Sequence, residues 1–386
     1  MRRDKNMDKK QEIQDEVQLI QDLFDGIDNG DFNNFGETSD KYTFKYLKAI
    51  WDLQTVLDGG KELYKQIYEI AIKCGIRHVQ QKYKTGRKIK VAFLTISAAE
   101  WPAESVYRLL KMNENVEAYL VVGPLIDRSV ENMEDAFEKT ASFFEKRGYD
   151  VRRAYDSKNK KVRLWEEIGK PDIVIHLTHW YKSLPEEYQI ENYPFTILNC
   201  YIPYAMSLAD NAKGTFMINS SNNSMFLNMM WHIYTDTMYH YEGYREYQLL
   251  GGENVVFTGF PKMDFFYNKI ENTSDQLMLM ANWKYPTGCD PKNMKKVIIA
   301  PHHTFLGYGG ILYSTFQWNM YFWIYLAKKY ENQISFIFKP HPNLRTRAIE
   351  AEVFRDAGDY ERYIDLWEKL PNARVSAEES YLEIFA

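Results

Sequence analysis

Residues 334–345 read ISFIFKPHPNLR. The apolar run Ile334, Phe336, Ile337 and Phe338 suits a strand buried on both faces, the kind found in parallel sheets. The run breaks at Lys339-Pro340-His341-Pro342 and closes at Arg345, with no acid in between. Proline fixes its own φ and biases the residue before it away from helix. His341 is therefore expected on a stiff, extended segment at the end of the strand. Open α/β sheets bind ligands beyond the carboxyl ends of their strands. An imidazole there, flanked by Lys339 and Arg345, suits a phosphate, because it hydrogen-bonds oxygens without adding a permanent charge.

Two further strand ends carry related chemistry. KKVIIAPHHT (295–304) ends in His302, His303 and Thr304 after a proline, and TGFPKMD (258–264) sets Gly259, Lys262 and Asp264 around Pro261. His302 and His341 are predicted to converge on a pyrophosphate between two domains. His303, Thr304, Lys339 and Arg345 are expected on the phosphate side. In the first half, VAFLTISAAEWPAESV brings Ser97, Glu100 and Trp101 to a strand end, and LNCYIPYAM does the same for Tyr201 and Tyr204. These five are expected to rim the acceptor side, where aromatic hydroxyls suit a polyol or sugar; interface packing accounts for the aromatics equally well.

The fold expectation follows from the alternation of strands and helices. From Val91 the chain alternates buried-type strands (VAFLTI, YLVVG, DIVIHLT, FTILNCYI, NVVFTG) with helical segments such as Val130 to Lys146. After TGFPKMD the pattern restarts with KKVIIAP, a helix over Phe316–Tyr330, ISFIFKP, a helix near Ala348–Ala357, ARVS and a helix beginning at SYLEIFA. Alternation at this spacing predicts right-handed βαβ units, hence an α/β protein of two doubly wound Rossmann-like domains. The expected division is a helical N-terminal extension over 1–88, an acceptor-side domain over 89–258 and a donor domain over 259–386. The donor domain is expected to be incomplete at its C-terminus, since the strands in hand would leave a sheet edge uncovered.

Composition narrows the function classes. The net charge of −5 advertises no nucleic-acid partner. Three widely spaced cysteines fit a reducing compartment and match no zinc spacing. With no acidic pair beside the histidines, neither a metal site nor a cofactor is expected. His176 and His179, at i and i+3 of a strand end, are expected on opposite faces. Walker, GxGxxG, GxSxG and CxxC patterns are missing, as is an Asp-x-Asp at a strand end. Thr304 to Ala327 lacks charge, but Phe316, Met320, Trp323, Ala327 and Tyr330 share one helical face, which reads as a buried or interface helix and not a membrane span. The basic run Lys82, Lys84, Arg87, Lys88 and Lys90 reads as a solvated linker or a contact for anionic lipid.

At TGFPKMD, KKVIIAPHHT, FIFKPHPNLR and the following YLEIF, from about Lys90 onward, the chain resembles the CDP-glycerol glycerophosphotransferase family, of the teichoic-acid primase and polymerase type. The resemblance implies a GT-B-like fold and a CDP-glycerol or CDP-ribitol donor. It further implies attack on the β-phosphorus by an acceptor hydroxyl, on a polyol phosphate or glycan that is lipid-linked in some members, with release of CMP. It places the work in cell-wall or capsule polymer synthesis, in the cytoplasm and peripherally at the inner membrane face. By carry-over, His341 contacts the donor phosphates, and Gly259, Pro261 and Asp264 shape the nucleotide side; His341, with His302 from its own strand-end placement, is the catalytic candidate. Pro-His-His-Thr at 301–304 stands where many members have Pro-Thr-Trp-Arg, as in a capsule- or lipopolysaccharide-related branch. The family's Trp-His-Gly-Thr is replaced by Asn199-Cys200-Tyr201-Ile202-Pro203-Tyr204, which leaves the general base unassigned. Its acidic-Ser-Ser segment would follow Ala386, so this chain is expected to bind donor poorly. The alternatives are a nucleotide-sugar glycosyltransferase or epimerase-like enzyme on the same fold, or an inactive binding fragment.

Overall fold

The computed structural model describes residues 15–26, 41–55, 59–127, 129–206, 222–267, 282–306, 312–376 and 384. The chain forms two compact units, Met1–Asp264 and Phe265–Ala386. Both are α/β units built on parallel sheets, as the alternating sequence pattern predicts.

In the first unit the strands are β1 (Ile89–Thr95), β2 (Val116–Val122), β3 (Val151–Arg153), the hairpin β4 (Tyr155–Asp156) and β5 (Lys161–Val162), then β6 (Ile173–His176), β7 (Leu198–Tyr201), β8 (His232–Thr235) and β9 (Val255–Phe257). The main sheet runs β3-β2-β1-β6-β7-β8-β9, with every neighbouring pair parallel. Side chains alternate across it as the two-residue period requires. Ala92, Leu94, Tyr119 and Val121 enter one core, whereas Val91, Phe93, Ala118 and Leu120 enter the other. Two cores on two faces explain why these strands read as continuous apolar runs.

The helices Lys45–Leu53 and Gly60–Lys84, expected within an N-terminal extension, help build the first of these cores through Leu47, Ile50, Tyr64, Ile67 and Ala71. Gly75 permits the close approach: a Cβ there would lie 2.5 Å from Leu198 Cδ2 on β7. The C-terminal turn of the longer helix is tied to the sheet through Asp172. This carboxylate is 1% exposed and takes hydrogen bonds from His78 Nε2 (3.1 Å), Lys82 Nζ and the Lys90 backbone N–H (2.8 Å). Lys82, read in the sequence as part of a solvated or lipid-facing run, thus belongs to a structural ion pair.

The second unit contains β10 (Lys295–Ile299), β11 (Ile334–Phe338) and β12 (Ala373–Val375), parallel and in sequence order. Phe336 and Phe338 pack under the helices Phe316–Lys329, Leu344–Glu350 and Ala357–Glu368, while Ile337 faces Trp283 and Ile384 on the other side. The helix expected near Ala348–Ala357 is two helices, broken at Glu352, which takes a positive φ of 57°. Along Phe316–Lys329 the buried side holds Phe316, Met320, Trp323, Ile324 and Ala327, close to the periodic face read from the sequence. No helix among the described residues is long and apolar enough to cross a membrane. The helix expected at SYLEIFA falls almost wholly outside the described residues.

Candidate functional site: a three-histidine cluster and a polar crevice

Parallel pairing sets Ile299 of β10 beside Phe338 of β11, so both strands end at the same level. The loops then leave side by side: Lys339 N–H donates to Ile299 O at 2.8 Å, and His341 N–H to Pro301 O at 3.4 Å. This brings His302, His303 and His341 together, with ring centroids 4.2 Å (302–303), 4.1 Å (303–341) and 5.3 Å (302–341) apart. One ring nitrogen from each lies within 4.8 Å of the other two. The Asn343 backbone N–H donates to His341 Nδ1 at 3.1 Å. In a neutral ring that acceptor role leaves the proton on Nε2, which becomes an outward donor. His302 Nδ1 lies 3.1 Å from Thr304 Oγ1, which itself accepts from Tyr313 N–H at 2.9 Å. His303 Nδ1 is buried with no hydrogen-bond partner.

All three rings favour the neutral form. Burial, then the nearby His303 and His302 rings, brings His341 down to about 4. Burial lowers His302, and burial followed by His302 and Arg347 lowers His303. The convergence of His302 with His341 was expected. His303 was expected beside them on the phosphate side, but the mutual contact of all three rings and the influence of Arg347 were not, because order along two loops does not say which rings touch.

Other expected members lie elsewhere. Arg345 is exposed and pairs with Glu361 at 3.4 Å. Lys339 follows β11 and is half-buried. The turn holding Gly259, Pro261 and Asp264, expected on the donor side, closes the first unit instead. Gly259 takes φ +81° and donates its N–H to Thr235 O, and Pro261 opens a single helical turn. Lys262 in that turn is 7% exposed and donates to Ala99 O at 3.0 Å. Burial lowers its ammonium to about 8, with Glu100 acting in the opposite direction.

Trp101 is a correction. Expected at a rim, it is 7% exposed, ringed by Phe93, Tyr107, Phe144 and Tyr149, with its Nε1–H donated to Glu104 at 2.9 Å. Four aromatic neighbours surround it on that sheet face, and burying a large indole there outweighs exposure. Tyr201 is likewise 5% exposed. Ser97 Oγ accepts from Ala99 N–H at 3.3 Å and shapes the loop after β1.

In the first unit the strand order reverses direction between β1 and β6, the position where α/β sheets open a crevice. His179, just beyond β6, stacks on Tyr204 and places Nδ1 3.5 Å from Tyr201 OH. Burial lowers its pKa. The strand-face argument that set His179 aside fails because β6 ends at His176. His176 is the core residue: it is 1% exposed, bonded to Asn199 Oδ1 at 3.0 Å, and lowered to about 4 by burial.

No family model matches the chain, and no curated protein matches it. Among solved structures it is similar to a UDP-GlcNAc 2-epimerase from Neisseria meningitidis (15% identity, 77% of this chain and 73% of that one, TM-score 0.39). A UDP-GlcNAc 2-epimerase from Methanocaldococcus jannaschii aligns at 11% identity over 77% and 75%, TM-score 0.39. The wall teichoic acid polymerase TagF, as its H548A variant, aligns at 11% identity over 84% and 71%, TM-score 0.40. Likenesses at these identities and scores carry no functional argument.

Proposed function

We propose that the protein transfers a glycerol-phosphate or ribitol-phosphate unit from a CDP-polyol to an acceptor hydroxyl, with the histidine cluster of the second unit holding the donor phosphates. The observation that carries this reading is the pair of adjacent parallel strand ends presenting three imidazoles, with His341 locked by the Asn343 amide into the tautomer that donates from Nε2. Such a donor suits a phosphate oxygen and costs no reorganisation during reaction. In the proposed step the acceptor oxygen bonds to the β-phosphorus and the bond from that phosphorus to the bridging oxygen breaks. CMP leaves with the bond's electron pair, and the hydroxyl proton passes to water. His341 Nε2–H then stabilises charge growing on the phosphate oxygens.

His341→Ala should lower acceptor-dependent CMP release from CDP-glycerol roughly a hundredfold, the usual cost of a lost transition-state donor. An unchanged rate in that variant overturns the assignment of His341. Release of UDP from a UDP-sugar, with CDP-polyols inert, overturns the donor class.

A further inference from the structure

We propose that His302, His303 and His341 form a binding site for a divalent late transition-metal ion of the zinc class, with a fourth coordination position left open. This goes beyond the donor reading and stands without it. Among the described residues this is the group of potential ligand side chains whose donor atoms fall within 4.8 Å of one another, and it consists of imidazoles alone. Imidazole nitrogen suits zinc, copper and nickel, whereas magnesium and calcium demand oxygen ligands. Three protein ligands and an open place are the usual make-up of a zinc site that takes an exogenous ligand.

The local bonding favours the same assignment. His303 Nδ1 is buried with no partner, a lone pair or N–H that the protein leaves unsatisfied and a metal would engage. His302 already has the orienting partner that metal-binding histidines carry on their second nitrogen, here Thr304 Oγ1, itself fixed by the Tyr313 amide. Tetrahedral zinc at 2.0–2.1 Å from nitrogen needs ligand atoms about 3.3 Å apart. Closing from within 4.8 Å asks for modest ring rotation in two loops, with no movement of β10 or β11. His341 must change more: to offer a lone pair it has to give up its bond from the Asn343 amide, by switching tautomer or by ligating through Nδ1. Arg347 opposes a bare cation here and favours one whose open position carries an anion.

The test uses the full chain without a histidine tag. Zinc titrated against a chromophoric chelator should bind at one ion per chain, and cobalt in its place should show the intense visible bands of a four-coordinate site. His302→Ala, His303→Ala and His341→Ala should each weaken zinc roughly a hundredfold, since a zinc site's binding free energy is shared among about four ligands. Thr304→Val should weaken it about tenfold. The Asn343 amide resonance should shift on zinc addition. Lys339→Gln should leave zinc affinity unchanged while weakening any CDP-polyol binding, which separates failure of this proposal from failure of the donor reading. Cobalt spectra of the octahedral aqueous ion in the wild-type chain overturn the proposal without recourse to variants. Zinc affinity equal in the wild type and in all three histidine variants also overturns it.

Discussion

Asp172 offers the sharpest test of how the helix Gly60–Lys84 is held to the sheet. Its carboxylate is 1% exposed and serves three donors: His78 Nε2, Lys82 Nζ and the Lys90 N–H. Removing one partner of a buried ion pair costs about 3–5 kcal/mol, chiefly because the other charge is stranded. Lys82 keeps 24% side-chain exposure and can turn to water, so Asp172→Ala belongs at the low end, about 3 kcal/mol. Urea unfolding followed by tryptophan fluorescence should show the midpoint falling by that amount with an unchanged slope. The double variant Lys82→Met, Asp172→Ala should recover part of the loss, because no cation is then stranded. The pH dependence has a defined sign. Burial alone would raise the Asp172 pKa, but the bonds from His78, Lys82 and the Lys90 amide outweigh it and hold the pKa below the ordinary value. A depressed carboxylate stabilises the fold fully above its unfolded pKa of about 3.9 and loses that contribution as pH falls through the folded value. The gap between wild type and Asp172→Ala should therefore be constant near neutrality and shrink in acid below about pH 4. A loss under about 1 kcal/mol, or a gap indifferent to acid, would refute this account of the anchor.

Trp101→Ala should cost about 3–5 kcal/mol, the range for emptying a large aromatic site, while leaving turnover per folded molecule unchanged; a selective fall in turnover without a stability loss would return Trp101 to the rim. Lys262 is depressed by burial to about 8, below the unfolded value of about 10.4, so the unfolded chain holds more protons between those values and stability should rise with pH across that window. Lys262→Met should remove that rise, as read from urea midpoints at about pH 8 and about pH 10; an unaltered slope would mean the ammonium is better solvated than its burial implies.

How much of this was legible in the sequence depends on the range of the interaction. Strand identity was legible because burial on two faces writes itself into consecutive residues: Val91 and Phe93 go to one core, Ala92 and Leu94 to the other, and all read as apolar. The helix Val130–Lys146 was legible for the same local reason. The fate of residues 41–84 was not. Their helical period was visible, but the sheet face that buries Tyr64 and Ala71 is assembled from separate strands, Ala92 and Leu94 of β1 together with Leu198 of β7 more than a hundred positions away, and Gly75 gives no sign of Leu198. Asp172 is another such case, since three donors from positions 78, 82 and 90 converge on a residue that in sequence looks like an ordinary strand cap.

The candidate site divides along the same line. The stiffness of Pro340-His341-Pro342 is a local property, and it correctly marked a strand end with unusual chemistry. What that chemistry is depends on register, because only the pairing of Ile299 with Phe338 sets the loop of His302 and His303 against that of His341. A register shifted by two residues would carry the rings nearly 7 Å apart along the strand direction, beyond hydrogen-bond or ligand reach. The same reasoning explains why Arg345 misled. A cation three residues past a proline seems poised beside the imidazole, but it lies in the first turn of the helix Leu344–Glu350, and the side chain pairs with Glu361 at 3.4 Å. Arg347, two positions on, is the guanidinium whose charge reaches His303. Helical rotation between those two arginines is about 200°, and that rotation decides which of them acts on the cluster.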